Sequence, residues 1–571
     1  MVALTWTGES GMRPVWTLLA AVLVLFLPAA AAARGPAPVV VFGAEHGVNG
    51  FNTSLSCCDD SWASWMGAEE ALRGAFEQNA KGVWLKELVS AASANSVGVS
   101  YTIRSNAYWY WGGRRVPVTY KDFLYTLQAY DDPANPIADR SGYANLDPTR
   151  HTHDGTHQVT FFWRRSNCTA ATPCGPYGNW QRLFATVYPS FALKGAAFST
   201  MWTSCICGSD GKPVSDGPYY LSGYTPGVGS VLRANPFWSG KKPAVREIDF
   251  KIFPDTGAEQ EAMRTGEVDA IAPTFGSTLE VLKHAAGITF DAVPSYFVEH
   301  VAFREGNAPG APSVTKGASN ALLRAPFVRQ AISLAIDRQA ITNAVFGDLG
   351  AGGATNSALY YSTEAGYRSH FARWSYNPSR ARALMAKHCT GGPPTVDTLT
   401  TAVWQCSGLP ATFTWSWPSG DTAAALTEAI VKVELRSIGI ALVDMPVPPN
   451  EFFGVGGIPS GGYDIAEFAD ATSGDPGDWA DAYRCRGAVN YTGFCSRAVD
   501  RLLAAAARET IPGRRAQDYE KADALLSESL PVLPMYQRPA VVVHKANLVG
   551  MVANPGPGGP FWNVEDWRWR S

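Results

Sequence analysis

No run of basic residues stands out in this chain of 571 residues. Lys and Arg total 47 against 50 Asp and Glu, a formal charge of −3, so neither nucleic acid nor an anionic membrane surface is implied as a partner. Also absent are a Gly-x-Ser-x-Gly elbow, a His-Glu-x-x-His helix, a P-loop and a dinucleotide fingerprint. Acidic pairs occur, as in any chain, but no motif places them, and the nine histidines come without a clear nucleophile. An enzyme is therefore not expected, and neither is a cofactor. No Cys-x2-Cys with a matching second half offers a zinc site. No internal repeat and no low-complexity linker divides the chain, so domain boundaries are not visible from composition.

What is present is a globular composition, 46% hydrophobic and 17% charged, with length enough for several packed cores. Aromatics reach 12%, including 19 Trp, which calls for a large core or a ring-lined cleft; core packing is the plainer account of most. The first 33 residues read as an export signal: Arg13, the apolar stretch Val15 to Leu27, Pro28, then Ala29 to Ala33. The apolar stretch is shorter than the about 20 residues of a membrane span. Residues 1–11 read as a misassigned start ahead of Met12, and cleavage is expected near Ala33. No cysteine follows the apolar stretch before Cys57, so no lipid anchor is expected. The ten cysteines suit an exported chain and disulfides. Cys168/Cys174, Cys389/Cys406 and Cys485/Cys495 can each close a local loop, and cross-pairing of Cys57/Cys58 with Cys205/Cys207 is the expectation for the rest.

Strand and helix signals alternate along the chain, which argues for α/β lobes with mixed sheets. Pro38 to Phe42 and residues 99–105 read as strands, Ser61 to Phe76 as a helix with Trp65, Ala68, Leu72 and Phe76 on one face. A turn at Gly112-Gly113 precedes a helix capped by Thr119 with Asp122 three residues on. His151 to Trp163 reads as a hairpin turning at Asp154-Gly155; its His151, His153 and His157 are read as exposed strand residues rather than metal ligands. Val231 to Ala234 and Glu247 to Phe253 read as strands. Further helices are expected at Thr256 to Gly266, Ala325 to Val345, Asp421 to Gly439, Ser496 to Arg508 and Ala516 to Leu530, with a strand at Ile440 to Val443.

In order, these segments resemble the family 5 extracellular solute-binding proteins, the group of dipeptide- and oligopeptide-binding receptors. The resemblance is carried by Tyr101 to Arg104, Gly112-Gly113 and Val116 to Tyr125, then Asp216 to Tyr219 with Asn235-Pro236 and Trp238. It continues through Pro254 to Thr256, Gly266 to Asp269, Val328 to Ala331, Ala335 to Arg338, Leu435 to Ile440, Tyr463 to Ile465, Asp475-Pro476, Pro531 to Tyr536 and Trp562-Asn563. Asp216 stands where the family has Thr. The Cys168/Cys174 loop and the Cys389/Cys406 insertion are departures that bear on the shape of the cleft.

That resemblance implies a two-lobed α/β periplasmic-binding-protein fold, type II and cluster C like, with an extra subdomain in the N-terminal lobe. Lobe I is expected to comprise 34–80, 205–297 and 535–571, the subdomain 81–204, and lobe II 298–534. It also implies a monomer outside the cytoplasm, periplasmic or extracellular and associated with the cell envelope. Such a receptor encloses a small ligand, in this reading a peptide, and delivers it to an ABC importer's permease; some relatives take nickel chelates, oligosaccharides, opines or antibiotics instead. In peptide-binding members an aspartate after the Tyr-Asp strand meets the ligand ammonium. By position that is Asp470, with Glu467 and Asp475 as alternates; a plain turn or cap aspartate is the competing account. Asp475-Pro476 reads more as a turn and helix start. Trp415 and Trp417 lie with Phe413 on one face of a strand that is near the ligand in relatives, and Phe51 and Asn52 lie in the early segment that lines their cleft. Tyr108 to Trp111 cannot all be buried on one face, so a cleft-mouth loop or a lobe contact is expected there; for each of these rings core packing is the alternative.

Overall fold

The computed structural model describes residues 38–570, apart from 59, 170–172, 274–278, 307–318, 350–352, 454–456, 488 and 557. The expected export signal at 1–33 lies outside the described residues, as do 34–37. Residues 38–571 form one compact unit.

Ten strands build a mixed sheet that runs through both lobes. In chain order they are β1 (Val39–Ala44), β2 (Tyr219–Thr225), β3 (Gly229–Ala234), β4 (Glu247–Ile252), β5 (Ala270–Ile271), β6 (Ile288–Phe303), β7 (Thr412–Pro418), β8 (Ala441–Val447), β9 (Ile465–Ala471) and β10 (Val532–Lys545). In space the order is β2-β3-β4-β1-β5-β10-β6-β9-β7-β8. β1 runs parallel to β4 and β5, and β7 parallel to β8 and β9. The long strands β6 and β10 pair antiparallel from Ile288 opposite Lys545 to Ala302 opposite Val532, so they belong to both halves. Pro294 faces Pro539 midway, and the register shifts before Val298. Neither proline has an N–H to give the ladder, which explains the interruption.

Two cores without a common residue lie on either side of this crossing. One gathers Phe303, Ile332, Trp415, Leu435, Phe468 and Tyr519, the other Val40, Phe42 and Phe250 with Phe561 and Trp567. Tyr101, Phe161 and Trp163, from a four-stranded sheet of residues 89–163, join the second core, so that sheet is fused to lobe I. Many tryptophans are buried, Trp62, Trp109, Trp163, Trp374, Trp404 and Trp567 among them, so packing accounts for much of the ring content.

Local signals placed most helices. Thr119 and Asp122 form a capping box on Tyr120–Asp131; Asp255 caps Thr256–Thr265, which ends at Gly266 with φ 79°. Asp421 caps Thr422–Ser437 by accepting from the N–H groups of Ala423 and Ala424. Three expectations need correction. Helical structure from Ser61 stops at Ala71, and Phe76 begins a short strand. Gly74 makes that turn possible: a Cβ there would lie 2.1 Å from the Ala185 carbonyl oxygen. The expected helix Ala325–Val345 is two, Pro326–Ala335 and Arg338–Phe346, because Asp337 caps the second by accepting from Ala340 N–H. Tyr108–Trp111 is a strand of a three-stranded sheet, with Trp109 buried and Tyr110 stacked on Tyr220 at 4.2 Å.

All five disulfides are local. Cys168–Cys174, Cys389–Cys406 and Cys485–Cys495 form as expected, but Cys57 pairs with Cys58 and Cys205 with Cys207 rather than across. Each of those segments closes on itself, through Cys58 N–H to Leu55 O and through a bridge from Cys207 to Pro213. Among the described residues no helix is long and apolar enough to cross a membrane.

One part-buried pair gives lobe II a pH-dependent stability. His370 Nδ1 lies 2.7 Å from Asp523 Oδ2, and the other oxygen of this buried carboxylate accepts from Ala358 N–H at 2.7 Å. The hydrogen bond to Asp523 raises the His370 pKa above its ordinary 6.5. The pair's contribution is therefore complete below the unfolded-state pKa and lost as pH rises through the folded one. His370→Gln is expected to lower the melting temperature at pH 5.5 and to merge with wild type at high pH. Thermal unfolding curves across that range check this; parallel pH profiles would refute it.

Candidate ligand-binding site

β9 has two faces, and its period of two decides what each residue can touch. Phe468 and Asp470 point into a cavity of about 1090 Å³; Glu467, on the opposite face, points into the lobe II core. Across the ladder His300 of β6 stands opposite Phe468 and Val298 opposite Asp470. The cavity's far wall comes from the lobe I side, through residues 139–145 and 173–182; the lobe II wall continues through Thr472 to Arg484.

Most charges on these walls are already matched. Arg182 contacts Asp139 at 3.2 Å and Asp478 at 3.1 Å, and Arg515 holds Asp475 through two nitrogens at 2.6 Å each. Asp481 lies 2.5 Å from Arg484. Asp470 differs. Its side chain is 44% exposed, and its one ion-pair neighbour among the described residues is His300 Nε2 at 3.9 Å. His300 is buried, and burial pushes its pKa below the ordinary value, outweighing the pull of Asp470. That shift makes the imidazole a poorer counter-charge for the carboxylate.

Behind the floor is a second charge cluster built on the buried Glu299. Glu299 of β6 has no exposed surface and accepts from Arg538 Nε at 3.0 Å and Nη2 at 2.7 Å; Arg538 also reaches Asp421 at 2.6 Å. Burial lifts Glu299 to about 7 despite Arg538, and lifts Glu467 well above the carboxylate range, with Glu299 adding to the effect. Trp415 Nε1 donates to Glu467 Oε2 at 3.1 Å.

Of the residues the sequence singles out, the structure brings Asp470 and Asp475 to the cavity. Asp475 accepts from Gly477 N–H at 2.7 Å and opens the turn Pro476–Trp479, so it does the work of a cap. Trp415 and Trp417 are enclosed in the lobe II core, 0% and 7% exposed, as is Glu467. Phe51 is buried in lobe I, edge-on to Tyr224 at 5.1 Å. Asn52 is buried beside it, accepting from Tyr188 Oη at 2.7 Å and donating to Phe198 O at 3.2 Å. Sequence reading had not reached His300, Tyr177, Arg182, Asp478 and Trp479. Asp478 and Trp479 could have been found from the turn after Asp475-Pro476, whereas no local pattern marks Arg182. Among the described residues no group of three His, Cys, Asp or Glu is placed to hold a metal ion.

Comparison with known proteins gives a consistent result. The model for bacterial extracellular solute-binding proteins, family 5 Middle, matches residues 86–484. A probable di/tripeptide-binding protein 5 of Pseudomonas aeruginosa is 22% identical over 452 residues, 76% of this chain and 77% of that one. The structure of the periplasmic EDTA-binding protein EppA superposes with a TM-score of 0.75 at 21% identity, covering 93% of this chain and 96% of the other. The oligopeptide-binding protein AppA from Bacillus subtilis, solved with a nonapeptide, gives 0.66 at 17% identity, over 93% and 99%.

The two kinds of site residue separate by stability. Trp415→Ala is expected to cost about 3–5 kcal/mol of unfolding free energy, as for a fully buried indole. Asp470→Ala should stay within about 0.5 kcal/mol of wild type, as for a half-exposed side chain without a strong partner. Urea unfolding of both variants checks the contrast.

Proposed function

The chain belongs to the family 5 bacterial extracellular solute-binding proteins, and from that membership we propose that it is an extracytoplasmic receptor that encloses a peptide between its lobes and delivers it to an ABC importer. The family consists of substrate-binding proteins rather than enzymes, so nothing need react: closure around the ligand is the signal a permease reads. The observation that carries the peptide reading is Asp470, a carboxylate facing a cavity of about 1090 Å³ without a guanidinium partner among the described residues. An ammonium entering a closed cleft needs such a partner, since an unpaired buried charge is very costly. The relative named for di/tripeptides and the AppA nonapeptide complex support a peptide as the occupant.

In this reading Asp470 is the direct ligand contact. Glu467, Trp415 and Trp417 act from beneath, packing the strands that present it, and Phe51 and Asn52 brace the lobe I side. Lobe I comprises 34–80, 205–297 and 535–571, the subdomain 81–204 and lobe II 298–534, following an export signal at 1–33. The mature protein works as a monomer in the periplasm or at the cell surface.

A thermal-shift screen of the protein from about Arg34 tests this, with di- to pentapeptides, oligosaccharides and metal chelates as probes. A one-site ligand at ~100 times its dissociation constant adds about 2.7 kcal/mol of stability. Peptides are expected to score, and Asp470→Ala to abolish binding of free peptides while sparing their N-acetylated forms. A sugar or chelate hit with no peptide hit would overturn the peptide reading and leave the receptor class standing.

A further inference from the structure

We propose that Arg182 is a closure residue, a guanidinium that holds one carboxylate from each lobe, and that Gly178 is the contact point that lets the lobes meet. The inference rests on reading the cavity as the ligand chamber, and it adds how that chamber is held shut.

Arg182 follows the Cys168–Cys174 loop on the lobe I side, in the short turn Trp180–Arg182. Its Nη2 lies 3.2 Å from Asp139, on the same wall. Its Nη1 lies 3.1 Å from Asp478, on the opposite wall. A planar fork can serve two carboxylates with separate nitrogens, where a lysine's single ammonium cannot do so with fixed geometry. Asp478 is held for the encounter: its Oδ2 accepts from Ser473 N–H at 2.9 Å and Ser473 Oγ at 2.6 Å. Ser473 comes three residues after Asp470, so the clamp is anchored to the segment that presents the ligand carboxylate.

Four residues before Arg182 the two walls touch through backbone. Gly178 N–H donates to Ala507 O at 2.7 Å. A Cβ at Gly178 would lie 2.6 Å from Ala506 O and 2.8 Å from Glu509 O, backbone atoms that a side chain cannot displace cheaply. Separation of the lobes would break the Asp478 contact and this hydrogen bond together. Asp139 would stay on Arg182, so the guanidinium is paired in either state. With Arg182 31% and Asp478 22% exposed, the bridge is open enough to weaken with salt.

The test uses the ligand-free protein. Hydrogen exchange at the Gly178 amide and the small-angle scattering radius are measured for wild type, Arg182→Gln, Asp478→Asn, Arg182→Lys and Gly178→Ala, with melting temperatures to show that each is folded. Arg182→Gln and Asp478→Asn are expected to raise Gly178 exchange about tenfold, the weight of one charge-assisted hydrogen bond, with Arg182→Lys between them and wild type. Gly178→Ala should enlarge the scattering radius by steric exclusion, and high salt should move wild type toward the Gln variant. Equal Gly178 exchange in wild type, Arg182→Gln and Asp478→Asn would overturn the proposal. Asp478→Asn and the salt series approach the bridge from its other side should Arg182→Gln fail to fold. No peptide enters this measurement, so failure of the peptide reading and failure of the clamp are told apart.

Discussion

The ladder between β6 and β10 is the constraint on which the two-lobed arrangement depends. The cores on either side have no residue in common, and these two strands are the sheet elements that take part in both halves. Where Pro294 faces Pro539 the ladder has no donors to give. On the lobe II side it is fastened at once by Arg538, which joins Glu299 on β6 to Asp421 at the start of a helix. A buried ion pair of this kind contributes little net energy, but removal of one partner leaves a buried charge and is strongly destabilising, by about 3–5 kcal/mol. A rung without donors therefore lies beside a pinned one, where the two cores meet the crossing strands.

β9 shows how a period of two separates structure from recognition. Glu467 goes to a buried interior that raises its pKa, where it accepts from the Trp415 indole. Asp470 goes to the cavity, where its ion-pair neighbour among the described residues is a buried His300 whose pKa burial lowers. The remaining cavity carboxylates are spent on guanidinium groups within or between the walls. Among the described residues, Asp470 is the acid on these walls that is left without a guanidinium.

Elements whose signal is local could be read from the sequence. Caps at Thr119, Asp255 and Asp421 and the glycine stop at 266 act within four residues, so their chemistry is visible in a short window. The break at Asp337 carried the same signal but was hidden by an apolar periodicity that runs through it. Strand order could not be read, since β1 and β4 are some two hundred residues apart and nothing local selects the partner. The site followed the same division. Asp470 was placed through family position, while alternation alone could not say which face of β7 turned to the core, and Trp415 proved to be interior. Arg182 matters through residues 43 before and 296 after it, a pairing only the folded chain displays.

The widest of the five disulfides spans 17 residues in sequence, and none ties one lobe to the other. Each bond can therefore be made within its own short segment, without waiting for distant chain. The covalent network is a set of separate stitches along the hem, with no seam across the opening. A reducing environment would loosen the loops and leave the travel of the lobes to the non-covalent contacts alone.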